Sequence, residues 1–208
     1  MFANRRAAGQ ALAAALRAWE GRDDIVVIGL PRGGVPIAAE VAAALGAPLD
    51  VFLVRKLGLP GHEELAMGAV ASSGAVVRND SVEALVGESD FAAVLDREQE
   101  VLRRREIQYR DGRPPVPLGG RTVIVVDDGL ATGASMRAAI AGLRQTGAAH
   151  LIVAVPVAAP GARADVREVA DDVVCLHTPG DFHAVGQYYE DFRQTGDDEV
   201  RRLLAPTS

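Results

Sequence analysis

The sequence predicts an α/β fold: a doubly wound parallel sheet with a helical insertion and a small C-terminal hood. Three observations predict it. The apolar runs at Ile25-Val26-Val27-Ile28, Val123-Ile124-Val125-Val126 and Leu151 to Val157 have the length and β-branched content of strands buried on both faces. The first two lead into loops of small residues and then into helix-like segments. Strands and helices alternate along the chain, as a parallel sheet with crossover helices requires.

The 208 residues suffice for one domain with a sizeable core. Hydrophobic residues make up 49% of the chain, yet no apolar run reaches the roughly 20 residues needed to span a membrane. The start, Met1-Phe2-Ala3-Asn4-Arg5-Arg6, lacks the apolar stretch of a signal peptide. One cysteine, Cys175, excludes an internal disulfide and fits a reducing cytoplasm. A net charge of −6 does not favour general binding of nucleic acid. There is no cysteine–histidine cluster with zinc spacing and no internal repeat.

In chain order, residues 5–20 read as an amphipathic helix with Leu12, Leu16 and Trp19 on one face and Gly21 as C-cap. That face packs on the core or on a partner subunit, and Trp19 is read as packing rather than base stacking. Ile25 to Leu30 is the first strand. Pro31-Arg32-Gly33-Gly34 follows, then a helix from Val35 to Leu45 stopped by Gly46. The glycines allow unusual backbone angles and close approach, and Arg32 supplies charge, so this loop suits a pyrophosphate. It has neither G-x-G-x-x-G spacing nor a Walker lysine. Leu49 to Val54 is the second strand, ending in Arg55-Lys56. Cations at the carboxyl end of a parallel strand face the ligand side, although such pairs are also commonly solvated. Residues 57–66, with Gly58, Pro60, Gly61 and a solvated His62, read as a lid that excludes water. Met67 to Ser72 and Gly74 to Val77 form a hairpin leaving it.

Residues 80–113 are the helical insertion, with a long helix from Asp90 to Arg110 marked by Leu95, Leu102 and Tyr109. Arg103-Arg104-Arg105 and Arg110 form a basic cluster on it. They either pair in solvent with Asp96, Glu98, Glu100 and Glu106 or reach a diphosphate, across a dimer interface. Pro114-Pro115-Val116-Pro117 ends the insertion.

The central strand runs into Asp127-Asp128, then Gly129-Leu130-Ala131-Thr132-Gly133-Ala134-Ser135 and a helix. Unpartnered N–H groups and the dipole at a helix start, with a glycine and two hydroxyls, suit a monophosphate. The two carboxylates cannot bind phosphate. They can accept from sugar hydroxyls or help hold a hydrated Mg²⁺. Together these features describe a phosphorylated sugar site. The helix continues to about Gln145 with Gly147 as cap. Leu151 to Val157 is a strand, 161–170 a short helix and Asp172 to Leu176 the last strand, with Cys175 as a small core residue. The tail from His177 to Ser208 breaks the rhythm. Its aromatics Phe182, Tyr188, Tyr189 and Phe192 either pin it to the sheet or stack on a flat base.

The string from Val123 to Ser135 resembles the phosphoribosyl pyrophosphate (PRPP) motif of the type I phosphoribosyltransferases, with Gly129 where an aliphatic residue is usual. The loop Pro31 to Gly34 and the string Val54-Arg55-Lys56-Leu57-Gly58-Leu59-Pro60 are similar to the adenine-type members. The resemblance implies one domain over residues 1–208: an N-terminal helix (1–21), the insertion (80–113) and a hood or tail (177–208). It places the 5-phosphate of PRPP on Ala131, Thr132, Gly133, Ala134 and Ser135. The ribose hydroxyls meet Asp127 and Asp128, which also serve Mg²⁺. The diphosphate meets Mg²⁺, Arg32, Gly33 and Gly34. Asp127, Asp128, Arg55 and Lys56 carry catalysis by electrostatics, and Phe182 and Tyr188 bind the base. The chain departs from the named purine classes at two points. No acid stands between Ala66 and Val77, where adenine-type enzymes carry a glutamate, and Ala131 stands where 6-oxopurine enzymes commonly carry an aspartate. The acceptor is therefore open: purine-like or another nitrogen heterocycle. The expectation is a cytoplasmic, homodimeric enzyme releasing pyrophosphate, with Mg²⁺ as cofactor. The alternative is a PRPP- or nucleotide-binding regulator on the same fold.

Overall fold

The computed structural model describes residues 1–79, 82 and 86–205. Positions 80, 81 and 83–85 of the expected insertion, and 206–208 of the tail, lie outside the described residues. Five parallel strands form the main sheet: β1 (Ile25–Gly29), β2 (Leu49–Val51), β6 (Thr122–Val126), β7 (His150–Val157) and β8 (Asp172–His177), in the order β2-β1-β6-β7-β8. Every residue of β1 and β6 is buried. Alternation then divides the strands between two helix layers. Ile25, Val27, Ile124 and Val126 pack against α1 (Arg5–Ala15) and α2 (Gly34–Leu45). Val26, Ile28, Val123 and Val125 pack against α4 (Ala134–Gln145) and α5 (Pro160–Arg167).

The N-terminal helix is shorter than its periodicity suggests. It ends at Ala15, capped by Leu16, and a 3-10 turn covers Arg17–Trp19. Gly21 (φ +74°) lies beyond that turn rather than at the helix end. Helix α1 lies close on α2, since a Cβ on Gly9 would sit 2.9 Å from the Ile37 carbonyl oxygen.

The largest departure from expectation is at residues 49–71. The parallel strand stops at Val51. From Val54 the chain enters a second, antiparallel sheet of β3 (Val54–Leu59), β4 (His62–Ala71) and β5 (Val76–Arg78). Residues 57–66 are thus the end of an antiparallel hairpin turning at Pro60-Gly61, with register shifts on either side of Gly58. The small sheet rests on α4, where a Cβ on Gly142 would meet Ala71 and Phe52 within 3 Å.

The long helix α3 runs from Glu88 to Arg110. Arg110 is not part of a solvated basic cluster. It is buried, donates to Asp50 at 2.8 Å and to the Val51 carbonyl at 2.8 Å, and so ties the insertion to β2. Arg103 and Arg104 stay exposed and pair with Glu100. The tail also differs from an irregular segment: Asp197–Leu204 form α6, which packs on α2 and α3. Cys175 is only partly buried, at the sheet edge. No helix of the described residues is long and apolar enough to cross a membrane.

Candidate active site

Strands β1 and β6 are neighbours, and their crossovers leave in opposite directions, β1 to β2 and β6 to β7. That reversal opens a crevice at the carboxyl ends of the two strands, the usual ligand position in an open α/β sheet. The two glycine-containing loops of the sequence both reach it.

After β1, the Leu30 amide donates to the Val126 carbonyl at 2.9 Å, which fastens the 31–34 loop to the end of β6. The Pro31–Arg32 peptide is cis. Gly33 has ordinary helical angles (φ −63°), so the glycines answer to crowding rather than to unusual dihedrals. A Cβ on Gly33 would lie 2.0 Å from Asp128 Oδ2, and one on Gly34 would lie 2.5 Å from the Val126 carbonyl oxygen. The pyrophosphate-type loop and the acid pair are therefore in contact.

Asp127 Oδ1 accepts the Asp128 backbone N–H at 2.8 Å. Burial pushes the Asp127 carboxyl well above the usual carboxylate range, and the Asp128 charge adds to the rise. Burial raises Asp128 as well, against the pull of Arg5. Arg5 donates to Asp128 Oδ2 through Nε at 3.0 Å and Nη2 at 2.7 Å. Its Nη1 donates to the Arg193 carbonyl at 2.7 Å, and its guanidinium lies 4.0 Å over Phe192. The Tyr189 hydroxyl donates to the Asp128 carbonyl at 2.6 Å; burial raises that phenol and keeps it a donor. Arg5, Tyr189 and Phe192 thus form a wall that the sequence did not assign to the acid pair.

Beyond the acids, Leu130 bridges to Ala158 and carries the loop along β7. Gly133 (φ +71°) makes the left-handed turn that starts α4, and Thr132 Oγ1 accepts the Ala134 N–H at 3.4 Å. Ala131, Thr132, Ala134 and Ser135 are exposed, while Gly133 is buried against Val166 and Met136 anchors the first turn. The first-turn amides are thus presented to solvent at a helix start. Gly129 stands where an aliphatic residue is usual because Val185 of the tail fills that space: a Cβ would lie 2.7 Å from Val185 Cγ1.

The remaining candidates are dispersed. Arg55 and Lys56 are successive residues within β3 and point to opposite faces. Arg55 donates to Glu98 of α3 at 2.6 Å, whereas Lys56 faces α4 beside Ser135. They do not form one cationic patch at a parallel strand end. Arg32 lies 3.8 Å from Asp197 of α6, whose carboxylate also accepts from Tyr109 at 2.6 Å. Phe182 and Tyr188 stack on each other, with centroids 5.8 Å apart at 16°. Among the described residues, no three His, Cys, Asp or Glu side chains gather as a metal site.

Comparison with known proteins identifies the family. The family described as "Phosphoribosyl transferase domain" matches residues 3–193. Two Mycobacterium tuberculosis proteins, from strains H37Rv and CDC 1551 and each named "Putative phosphoribosyl transferase", are 48% identical over 98% of this chain. The match covers 46% of their length, so the chain spans about half of these curated relatives. The crystal structure of TT1426 from Thermus thermophilus superposes with a TM-score of 0.85 at 46% identity, covering 98% of this chain and 97% of that one. AQ2163 from Aquifex aeolicus shares the fold at 12% identity, with a TM-score of 0.53 over 98% of this chain and 87% of its own.

Proposed function

Since the chain belongs to the phosphoribosyl transferase domain family, we propose that it transfers the ribose 5-phosphate of PRPP to a nitrogen heterocycle and releases pyrophosphate. One observation carries the reading: the Gly33-Gly34 loop touches the Asp127-Asp128 pair at the mouth of β1 and β6. A diphosphate and a pentose bonded to each other need receptors in that proximity. The 132–135 amides receive the 5-phosphate, the acids accept from the ribose hydroxyls, and the 32–34 loop receives the diphosphate. The transition state is a ribosyl oxocarbenium ion, so the half-buried acid pair lowers its energy by facing positive charge. Asp127 and Asp128 would hold Mg²⁺ together with oxygens of PRPP, and the ion would supply charge neutralisation for the diphosphate. Arg55, held by Glu98, buttresses the small sheet in this reading, while Lys56 borders the phosphate loop.

The test is a PRPP-dependent screen of nucleobases and small nitrogen heterocycles with Mg²⁺, reading pyrophosphate. Release with at least one acceptor is expected. Asp127→Asn with Asp128→Asn should weaken Mg²⁺·PRPP binding, and unchanged calorimetric affinity would reject the assignment of the acids. The second reading is a PRPP-binding regulator that transfers nothing. In its favour, the stacked Phe182 and Tyr188 leave no slot for a base between them. Tight PRPP binding without pyrophosphate release from any acceptor would select that reading.

A further inference from the structure

Two segments outside the phosphoribosyl motifs, the long helix α3 and the tail helix α6, converge on the 31–34 loop. Val200 and Leu204 of α6 are buried together with Leu102 and Tyr109 of α3 and Val35 of α2. Helix α6 is fastened to the α3 segment at both ends. At its start, Asp197 accepts the Tyr109 hydroxyl at 2.6 Å; at its end, the Leu204 carbonyl accepts from Arg113 Nη2 at 2.6 Å. The helix dipole favours a carboxylate in this first turn. Tyr109 is buried, and burial followed by the Asp197 carboxylate pushes its phenol up to about 12, so it remains a donor. Asp197 is thus a carboxylate tied to the body of the protein.

What it faces is Arg32. Arg32 Nη1 lies 3.8 Å from Asp197 Oδ1, and among the described residues this is the one ion pair of Arg32. The separation decides what the contact can do. At 3.8 Å it is a charge–charge contact, too long for a hydrogen bond. Asp197 therefore restrains the guanidinium without taking up its N–H donors. An unrestrained arginine on a loop samples many rotamers, and ordering it is part of the cost of binding an anion. A guanidinium already restrained, with its donors still available, meets an anion with less of that cost.

We propose that Asp197, oriented by the Tyr109 hydroxyl, is a positioning residue of the 31–34 loop: it restrains Arg32 so that the guanidinium is ordered before the diphosphate arrives. The role rests on the diphosphate reading of this loop given above. It makes the insertion and the tail working parts of the site, acting through Arg32 rather than on the ligand.

The test is calorimetric titration of the full chain with pyrophosphate and Mg²⁺ and, separately, with ribose 5-phosphate. Asp197→Asn keeps an oxygen for Tyr109 and removes only the charge facing Arg32. It should weaken pyrophosphate about fivefold, the effect of ordering one long side chain, and leave ribose 5-phosphate within about twofold of wild type. Tyr109→Phe keeps the charge but unties the carboxylate, and should shift the same ligand in the same direction. Asp197→Glu restores the charge and should recover pyrophosphate binding. Arg32→Met should weaken pyrophosphate by itself, and adding Asp197→Asn to it should cost nothing further, because Asp197 acts through Arg32. Asp197 is partly exposed, so its variants fold even if Tyr109→Phe does not. Equal losses for the two ligands would make Asp197 a support of the fold alone and overturn the proposal. Tighter pyrophosphate binding by Asp197→Asn also overturns it, since the carboxylate would then compete with the diphosphate for Arg32. A wild-type protein that binds no pyrophosphate refutes the transferase reading and this role with it. A wild type that binds pyrophosphate while Asp197→Asn binds it equally well refutes the positioning role alone.

Discussion

Replacing Arg5 by Met tests whether the acid pair depends on a residue 123 positions away. Met keeps an unbranched stem against Phe192 and removes the guanidinium. The side chains of Arg5 and Asp128 are only 11% and 17% exposed, so the pair behaves as a nearly buried one. Removing one partner of a buried pair costs roughly 3–5 kcal/mol, because the other charge is left unpaired. The residual exposure of Asp128 places the expected loss at the low end, about 3 kcal/mol. Asp128→Asn keeps an acceptor but leaves the Arg5 cation, only 11% exposed, without its counter-charge, so a comparable loss of about 3 kcal/mol is expected. In the double variant no carboxylate remains to be stranded, and the loss should fall short of the sum by about 1.5 kcal/mol or more. Urea unfolding of the four proteins measures this, provided the slope with denaturant is unchanged. Additivity within about 0.5 kcal/mol would refute the reasoning, since it would mean that Arg5 stabilises through Arg193 and Phe192 alone.

Gly34→Ala places a methyl 2.5 Å from the Val126 carbonyl oxygen and 2.9 Å from Asp127 Cα, both backbone, so it should destabilise by about 1–3 kcal/mol and weaken pyrophosphate binding together; a variant of wild-type stability and affinity would contradict the contact. Gly129→Ala should cost a similar amount by meeting Val185, and Val185→Ala in the same chain should recover much of it; thermal unfolding of the pair decides, and no recovery counts against Val185 as the filler. The raised Asp127 carboxyl means that the native state retains a proton the unfolded chain has released. Its contribution to stability is intact below the unfolded value and is lost as pH rises through the native one. Asp127→Asn, whose amide oxygen still accepts from Asp128, should therefore stabilise the fold at about pH 8, with the gain shrinking toward about pH 4; a gain that grows on acidification would reverse the sign and reject the assignment.

The parts of the fold legible in the sequence are those set by short-range rules. Strands β1, β6 and β7 are buried on both faces and read as unbroken apolar runs. The two crevice loops were legible because close approach at Gly33 and Gly34 and a left-handed turn at Gly133 both demand glycine. Expectation failed where an apolar run hid a change of sheet. Phe52 and Leu53 continue the hydrophobic run of Leu49 to Val51, so Arg55 and Lys56 looked like the end of one parallel strand. The chain in fact re-enters an antiparallel sheet, and alternation separates the two cations. Arg110 looked solvated because its partner Asp50 lies 60 residues away. No local pattern carries such pairings, and the same holds for Val185 opposite Gly129.

Asp128 is where the first residues of the chain and the segment 185–193 meet. The Phe2 amide donates to the Tyr188 carbonyl at 2.7 Å, and the Glu190 and Asp191 amides return bonds to Phe2 and Ala3 at 2.9 and 3.0 Å. This pairing holds Tyr189 against the Asp128 carbonyl and brings Arg193 and Phe192 over Arg5. The carboxylates come from a strand in the middle of the sheet, but their environment comes from the first five residues and the segment 185–193. Charge explains why such a clamp is useful. Two adjacent acids in a partly buried crevice repel each other and a diphosphate alike, and a single fixed cation at Asp128 offsets part of that repulsion before any ligand arrives. Arg5 also occupies one oxygen of Asp128 with two donors. In the proposed transfer, the sugar would then meet a carboxylate of set orientation, whose hydrogen bonds would need little rearrangement as positive charge develops.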